Sequence, residues 1–437
     1  MRRRLAAAGI VVAVLVLAIG TAAGLGPLAS TGSSGTAPSA DASPSSPAPS
    51  GSSGATASPT GAPSASVTAP PAPMPSPTAP PLPVAKLQSA LDAWRTASAT
   101  PGVSVTIRWA DGRSWTGTAS VADAAHATPM TPDTAFCLAS ITKTFVAALA
   151  IQLVGERRLT LDAPVAPLLP GLGLDRRITL RMLLDHTSGL PDIFMAPGID
   201  RALLAAPDRA WTLAASLAFD RRPRAVPGTS WAYSNTNYLL LGVLLEKVTG
   251  QPFASLVRTR LLDPLGLRSA YVQIAEAAPV PVAVGHVVVG TGATARARVL
   301  HAGPVQPFTS VVSAGGAADD LSASSADVAT WASLLYGGEV LGPASTAAML
   351  GDIARVAPFH PRTQYGLGVE AYTMPGFGTV YGHNGHLAGF RDLVRYLPVQ
   401  GLSIAILANA DAAPIGPLLT RLLAVALPLG EPCARCR

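Results

Sequence analysis

The stretch CLASITKTF places Ser140 and Lys143 three residues apart, at the start of an apolar run that reads as a helix. Residues i and i+3 of a helix are neighbours on one face, so the hydroxyl and the amine meet there. A serine hydroxyl is a poor nucleophile until a base removes its proton. An amine in a desolvated pocket near the positive end of a helix dipole has its charged form disfavoured, and a neutral lysine can be that base. Ser-x-x-Lys alone is common, and an N-capping serine beside a solvated lysine is spelled the same way. The pair gains meaning from what lies downstream.

Two further stretches carry suitable groups. WAYSNTNY sets Tyr233 and Asn235 two apart, after the turn VPGTS and before the helical run YLLLGVLL. A phenol there can pass protons between a serine, a lysine and a leaving group, and the amide can hold a substrate carbonyl or steady the lysine. A capping asparagine and a packed tyrosine are the alternative. In YGHNGHLAGF, Gly385 lets a substrate backbone approach closely, and the N–H of His386 with that of Ser140 would make a two-donor oxyanion hole. His383 and His386 also spell H-x-x-H, but the intervening glycine breaks a helix and no third ligand follows at metal-site spacing. HTSG, with His186 and Ser188, reads as a loop that supports the site.

The elements that must position these groups are legible from patterning. VAKLQSALDAWRTAS reads as an opening helix, and GVSVTIRWA and SWTGTASVA read as strands joined by an Asp-Gly turn. The middle, about 140–300, is mostly helical, as in SITKTFVAALAIQLVGE, TLRMLLDHT and NYLLLGVLLEKVTG. Strands return in YGLGVEAYT, GTVYGHNG, GFRDLVRYLP and LSIAILANA, and GPLLTRLLAVALP closes as an amphipathic helix. Strands at both ends with helices between them imply one sheet built from both termini, with a helical subdomain inserted.

Ser-x-x-Lys, Tyr-x-Asn and a His-x-Gly triad, in this order, resemble the serine β-lactamase and penicillin-binding protein superfamily, in its class C β-lactamase and D-alanyl-D-alanine carboxypeptidase branch. LLDHTSGLPD, SAGGAADDLSASSADVATW and HNGHLAGFRDLVRYLP look similar too, and the likeness covers about 84–425. The resemblance implies a mixed α/β fold, an antiparallel sheet flanked by helices beside an all-helical subdomain, with the site between them. It implies that Ser140 is acylated, that Lys143 takes its proton and that Tyr233 shares proton transfer. It also implies that Asn235, His383, Gly385 and His386 face substrate, and that no metal or organic cofactor takes part. His383 stands where the family usually has lysine, and histidine is only partly charged near neutral pH. His-x-Gly resembles the branch's esterases and peptidases more than its dedicated β-lactamases. The expected function is an exported serine hydrolase, a D-Ala-D-Ala carboxypeptidase or D-stereospecific peptidase. An esterase, a β-lactamase or an idle wall-binding protein of the same fold are the alternatives.

The rest of the chain bounds its setting. Of 437 residues 49% are hydrophobic and 13% charged, with a net charge of +6 that includes Arg2, Arg3 and Arg4. No long basic stripe with interleaved aromatics follows, so nucleic acid is not an expected partner, and RRPR at 221–224 reads as a solvated loop. The basic start and the apolar run from Leu5 to about Gly26 read as a signal peptide or N-terminal membrane anchor. Residues 27–83, rich in Pro, Ser, Ala and Thr, read as a disordered spacer, and 84–430 as the hydrolase domain. The expected setting is outside the cytoplasm, secreted or anchored, with peptidoglycan within reach and the protein a monomer. Its substrate is a peptide, ester or β-lactam. Cys137 reads as a small buried hydrophobe. Cys433 and Cys436, in the tail 431–437, spell a C-x-x-C that fits a strained local disulfide or a metal shared with a partner chain.

Overall fold

The computed structural model describes residues 81–427 apart from 220–221, 291–295 and 352–362. The expected export segment (1–26), nearly all of the spacer (27–83) and the cysteine-bearing tail (431–437) lie outside the described residues.

Helix α1 (Val84–Ser98) leads into strands β1 (Gly102–Arg108), β2 (Ser114–Asp123) and β3 (Thr128–Pro129), then β4 (Phe136–Cys137). The helical insertion follows: α2 (Thr142–Gly155), α3 (Leu180–Leu184), α4 (Ile199–Ala205), α5 (Leu213–Ala218), α6 (Asn235–Thr249) and α7 (Phe253–Val257). After β5 (Tyr271–Val272), β6 (His286–Val289) and β7 (Arg296–Val299) come α8 (Thr309–Gly315), β8 (Leu321–Ala323), α9 (Ser325–Tyr336) and α10 (Pro343–Gly351). Strands β9 (Thr363–Tyr365), β10 (Glu370–Met374), β11 (Gly378–Leu387), β12 (Phe390–Leu397) and β13 (Leu402–Ala408) precede α11 (Ile415–Ala426).

The principal sheet has eight strands in the order β3-β2-β1-β13-β12-β11-β10-β9, with every neighbouring pair antiparallel. N- and C-terminal strands meet at its centre, Val105 opposite Ile406, as the strand pattern predicts. The Asp-Gly turn also forms: Gly112 takes φ +85°, open to glycine without strain, and Arg108 pairs with Ser114. β1 and β13 are buried almost throughout: LSIAILA is accordingly nearly all apolar, whereas GVSVTIR alternates, and its buried Ser104 and Thr106 hydroxyls each lie 2.8 Å from Ser325 Oγ.

Each face of the sheet has its own core. Leu87 and Leu91 of α1 and Leu418, Leu422 and Leu423 of α11 pack with Val103, Val105, Ile107, Ile404 and Ile406. On the other side, α2, α6 and α9 share a larger core that includes Ala405 and Leu407 of β13, and Phe145 stacks on Trp331 with ring centroids 4.0 Å apart. Each fully buried leucine contributes about 2 kcal/mol relative to exposure, so α1 and α11 are held by their apolar stripes rather than by intrinsic helix propensity. Cys137 is wholly buried in this core, and burial pushes its thiol pKa up.

Buried acids mark this larger core. Asp320 is 8% exposed, its Oδ1 has no hydrogen-bond partner, and burial pushes its pKa up to about 8, with Asp319 adding to the effect. The native state therefore keeps a proton that the unfolded chain releases at a lower pH, so Asp320 should make the fold lose stability as pH rises from about 4 to about 8. Asp320→Asn should flatten that decline in urea denaturation curves. An unchanged slope would count against a protonated Asp320.

Candidate active site

Ser140 lies on the one-turn 3-10 helix Ala139–Ile141 that runs into α2. The turn is under backbone strain, because Ala139 has φ +46°, a region costly for a residue with a side chain and frequent at functional sites. Leu138 just before it is tied to β8 by its N–H to the Leu321 carbonyl (2.9 Å), and the Thr142 hydroxyl receives the Leu321 N–H (3.2 Å). The Ser140 hydroxyl is thus carried by a turn that is braced on both sides.

Lys143 is fully buried on α2. Its Nζ lies 2.9 Å from Ser140 Oγ, 2.7 Å from Asn235 Oδ1, 3.0 Å from the Ala318 carbonyl and 3.4 Å from Asp319 Oδ1. Burial lowers its proton affinity, partly offset by Asp319 and Asp192. Asn235 and Ala318 offer acceptors only, so a neutral amine spends its two N–H groups on them and turns its lone pair to Ser140. The expected meeting of Ser140 and Lys143 is present, with the serine one turn ahead of the α-helix proper.

Tyr233 donates its O–H to Ser140 Oγ at 2.7 Å. Burial, then the nearby Asp319, pushes its pKa well above the usual phenol value, so it rests as a phenol. It is therefore a proton donor at rest, and the groups within reach of the Ser140 hydroxyl that could take its proton are the Lys143 amine and the Asp319 carboxylate. Two interlaced loops hold Tyr233. Gly228 N–H bonds the Thr187 carbonyl and Ala232 N–H the His186 carbonyl. His186 Nδ1 accepts from Ser234 N–H (3.2 Å) and from the Asn237 amide (3.1 Å), which puts its proton on Nε2, and its ring lies 4.3 Å from that of Tyr233. Ser188 donates to Asn237 Oδ1 at 2.6 Å. HTSG is thus the bed on which the tyrosine lies.

Asn235 works in two directions. Its amide nitrogen donates to both carboxylate oxygens of Asp192 (3.1 and 3.0 Å), and that fixes its carbonyl oxygen towards Lys143. Burial pushes Asp192 up to about 6. Asp192 closes the stretch LLDHTSGLPD, where no local pattern marks it as a partner of Asn235. Asp192→Ala should free Asn235 to rotate and lower kcat/KM by about 10- to 100-fold, the size seen for losing an orienting partner. A wild-type kcat/KM would show that Asn235 is held without it.

β10 pairs with β11 only as far as Gly382, so residues 383–387 keep β12 on one side and turn their other edge to the Ser140 turn. There a Cβ on Gly385 would lie 2.5 Å from the Leu138 carbonyl oxygen. The close approach that glycine permits is thus with the protein's own nucleophile turn. The expected oxyanion donors, the N–H groups of Ser140 and His386, belong to these two facing segments. His383 and His386 are three apart on a strand and point to opposite faces, so they do not converge on one ion. His383 is 1% exposed; its Nδ1 donates to the Asn384 carbonyl (2.7 Å), which leaves Nε2 to accept from Tyr365 O–H at 2.9 Å. Burial holds its pKa below the usual value despite Glu370, whose Oε1 lies 4.0 Å from Nδ1. His383 therefore presents neither fixed charge nor spare donor. His386, opposite Arg391, is pushed down to about 4 by burial and then by that guanidinium. A cavity of about 470 Å³ is lined by Leu172, Leu190, Pro191, Leu217, Thr236 and Leu240, and by none of Ser140, Lys143 and Tyr233.

A serine hydroxyl within hydrogen-bond reach of a buried lysine and a phenol, set at the seam between an antiparallel sheet and a helical insertion, is the arrangement of a serine hydrolase. Residues 87–427 match the Beta-lactamase family model, and the chain belongs to that family. It is 29% identical over 345 residues to penicillin-binding protein 4 of Amycolatopsis lactamdurans, covering 75% of this chain and 86% of that one. A D-stereospecific amidohydrolase from Streptomyces sp. superposes with a TM-score of 0.66 at 31% identity, over 79% of this chain and 98% of that one. The D-amino acid amidase of Ochrobactrum anthropi SV3 shares the fold, with a TM-score of 0.68 at 24% identity over 78% and 98% of the two chains.

Proposed function

We propose that the protein hydrolyses D-configured peptide or amide substrates through an acyl-enzyme on Ser140. The observation that carries the chemistry is the placement of Ser140 Oγ 2.9 Å from Lys143 Nζ and 2.7 Å from Tyr233 O–H. Neutral Lys143 takes the hydroxyl proton as Oγ bonds to the carbonyl carbon, and the carbonyl π pair moves to the oxygen between the N–H groups of Ser140 and His386. When the C–N bond breaks, Tyr233 gives its proton to the departing amine and regains one from Lys143. A water then attacks the ester, its proton passing through Tyr233 or Lys143 while Ser140 Oγ is reprotonated.

Two features support the choice of substrate. The similarity to the Streptomyces amidohydrolase runs along nearly all of that chain. His383, buried and neutral, supplies no fixed cation for a terminal carboxylate, which favours amides and peptides recognised elsewhere along their length over D-Ala-D-Ala termini and β-lactams. Kinetics with the purified protein on D- and L-amino acid amides, D-Ala-D-Ala peptides, short acyl esters and a chromogenic cephalosporin tests this. The D-amides should show the highest kcat/KM; preference for L-amides, for esters or for the cephalosporin would overturn the assignment. Export is part of the same proposal, supported by Arg2–Arg4 before the apolar run, and recovery of the protein solely from cytosol would refute it.

A further inference from the structure

Asp319 follows the short helix Gly316–Ala318, 2% exposed, with Oδ1 at 3.2 Å from Ser140 Oγ and 3.4 Å from Lys143 Nζ. Its other oxygen, Oδ2, is buried without a hydrogen-bond partner, close enough to Gly315 that a Cβ there would lie 2.8 Å away. A buried carboxylate with an orphan oxygen is costly. An acid kept for architecture would spend both oxygens on backbone or side-chain donors. This one spends its engaged oxygen on the nucleophile and the base.

The other titratable groups around Lys143 leave Asp319 as its direct counter-charge. The rings of Tyr233 and Tyr238 lie 5.1 and 5.6 Å from Nζ, and burial keeps both phenols neutral. His186, on the loop after α3, and His383, on β11, are held neutral by burial. Glu370 of β10 faces His383 and Arg395. Asp192 stands one hydrogen bond further off, behind Asn235.

We propose that Asp319 is a positioning residue for the base: its carboxylate holds Lys143 as an ammonium at rest and sets the pH at which the amine becomes available. This rests on Ser140 and Lys143 acting as nucleophile and base. In the resting pair the three ammonium protons serve Ser140 Oγ, Asn235 Oδ1 and the Ala318 carbonyl, and the serine O–H points to Asp319 Oδ1. Loss of one ammonium proton to solvent leaves two N–H groups on Asn235 and Ala318. The lone pair then faces Ser140, whose O–H swings from Asp319 to Nζ. Attack on the substrate carbonyl follows with Lys143 as acceptor. Asp319 thus keeps the hydroxyl aimed away from the base until the base is free.

The test is the rate of covalent Ser140 labelling by a fluorophosphonate between about pH 5 and pH 10, on wild type, Asp319→Asn and Asp319→Ala, with thermal melts to confirm folding. Removing the carboxylate makes the amine easier to deprotonate. The acid limb of both variants should therefore move down by at least about one pH unit, the usual effect of an adjacent opposite charge, with labelling about tenfold faster on that limb. An unmoved limb in folded variants overturns the proposal. Folded variants that are not labelled at any pH overturn it too, since Asp319 would then be the proton acceptor itself. A wild type that is never labelled at Ser140 overturns the acyl-enzyme reading and this proposal with it, whereas a labelled wild type with an unmoved limb overturns this proposal alone.

Discussion

Replacing Ser140 with alanine is expected to abolish covalent labelling and to lower kcat/KM by about 10⁴-fold or more, the residue left being what an oxyanion hole and binding supply without a nucleophile. Lys143→Met should cost nearly as much, about 10³- to 10⁴-fold, because an unactivated serine is hardly a nucleophile and the two groups act as one unit. The double variant should therefore be no slower than Ser140→Ala alone. Lys143→Met carries a second cost. Lys143 is wholly buried against Asp319, and breaking a buried ion pair costs about 3–5 kcal/mol, so melting temperature should fall in this variant and hardly at all in Ser140→Ala. Labelling of Lys143→Met at the wild-type rate would remove the lysine from its role. Retained labelling in Ser140→Ala would remove the serine.

The second large effect is expected at Gly385. A Cβ there would lie 2.5 Å from the Leu138 carbonyl and 3.1 Å from the Asp392 Cβ, both rigidly held. The demand is for space between two backbones, so no rotamer relieves it. Gly385→Ala should lose about 1–3 kcal/mol by overpacking. As β11 and the Ser140 turn move apart, kcat/KM should fall about 10²-fold, the size associated with a 1 Å misplacement of reacting groups. Urea denaturation and steady-state kinetics on the same preparation check both. Wild-type kcat/KM in a destabilised variant would show that the strand can yield without moving the nucleophile.

Much of this arrangement is legible in the residues themselves. VAKLQSALDAWRTAS is α1, the Asp-Gly turn joins β1 to β2, and NYLLLGVLLEKVTG forms the body of α6, which ends at Gly250 with φ +75°. Apolar periodicity and turn chemistry act locally, and so they read locally. Ser140 and Lys143 read as a pair for the same reason. Asp319 does not, because it lies 176 positions beyond Lys143 in a run of Gly, Ala and Asp that has no period. The pairing of β4 with β8 brings it to the serine. Likewise, nothing around His383 in sequence announces Tyr365 or Glu370, which engage it only because β9, β10 and β11 lie side by side. Asp192 could have been suspected, since it precedes a short helix and caps it through Phe194 N–H. Its grip on Asn235 comes from the tertiary fold.

The centre of the principal sheet has a consequence for when the protein becomes active. β1 is flanked by β2 on one side and by β13 on the other, and Val103 finds its partner Ala408 about 300 residues later, a separation that makes folding slow. On a growing chain, the turn bearing Ser140 emerges early, but β12 and β11 have no central strand to lean on until β13 follows. The nucleophile is therefore made long before it can be aimed. A product clipped between Leu397 and Leu402 would carry every motif residue and remain chemically silent.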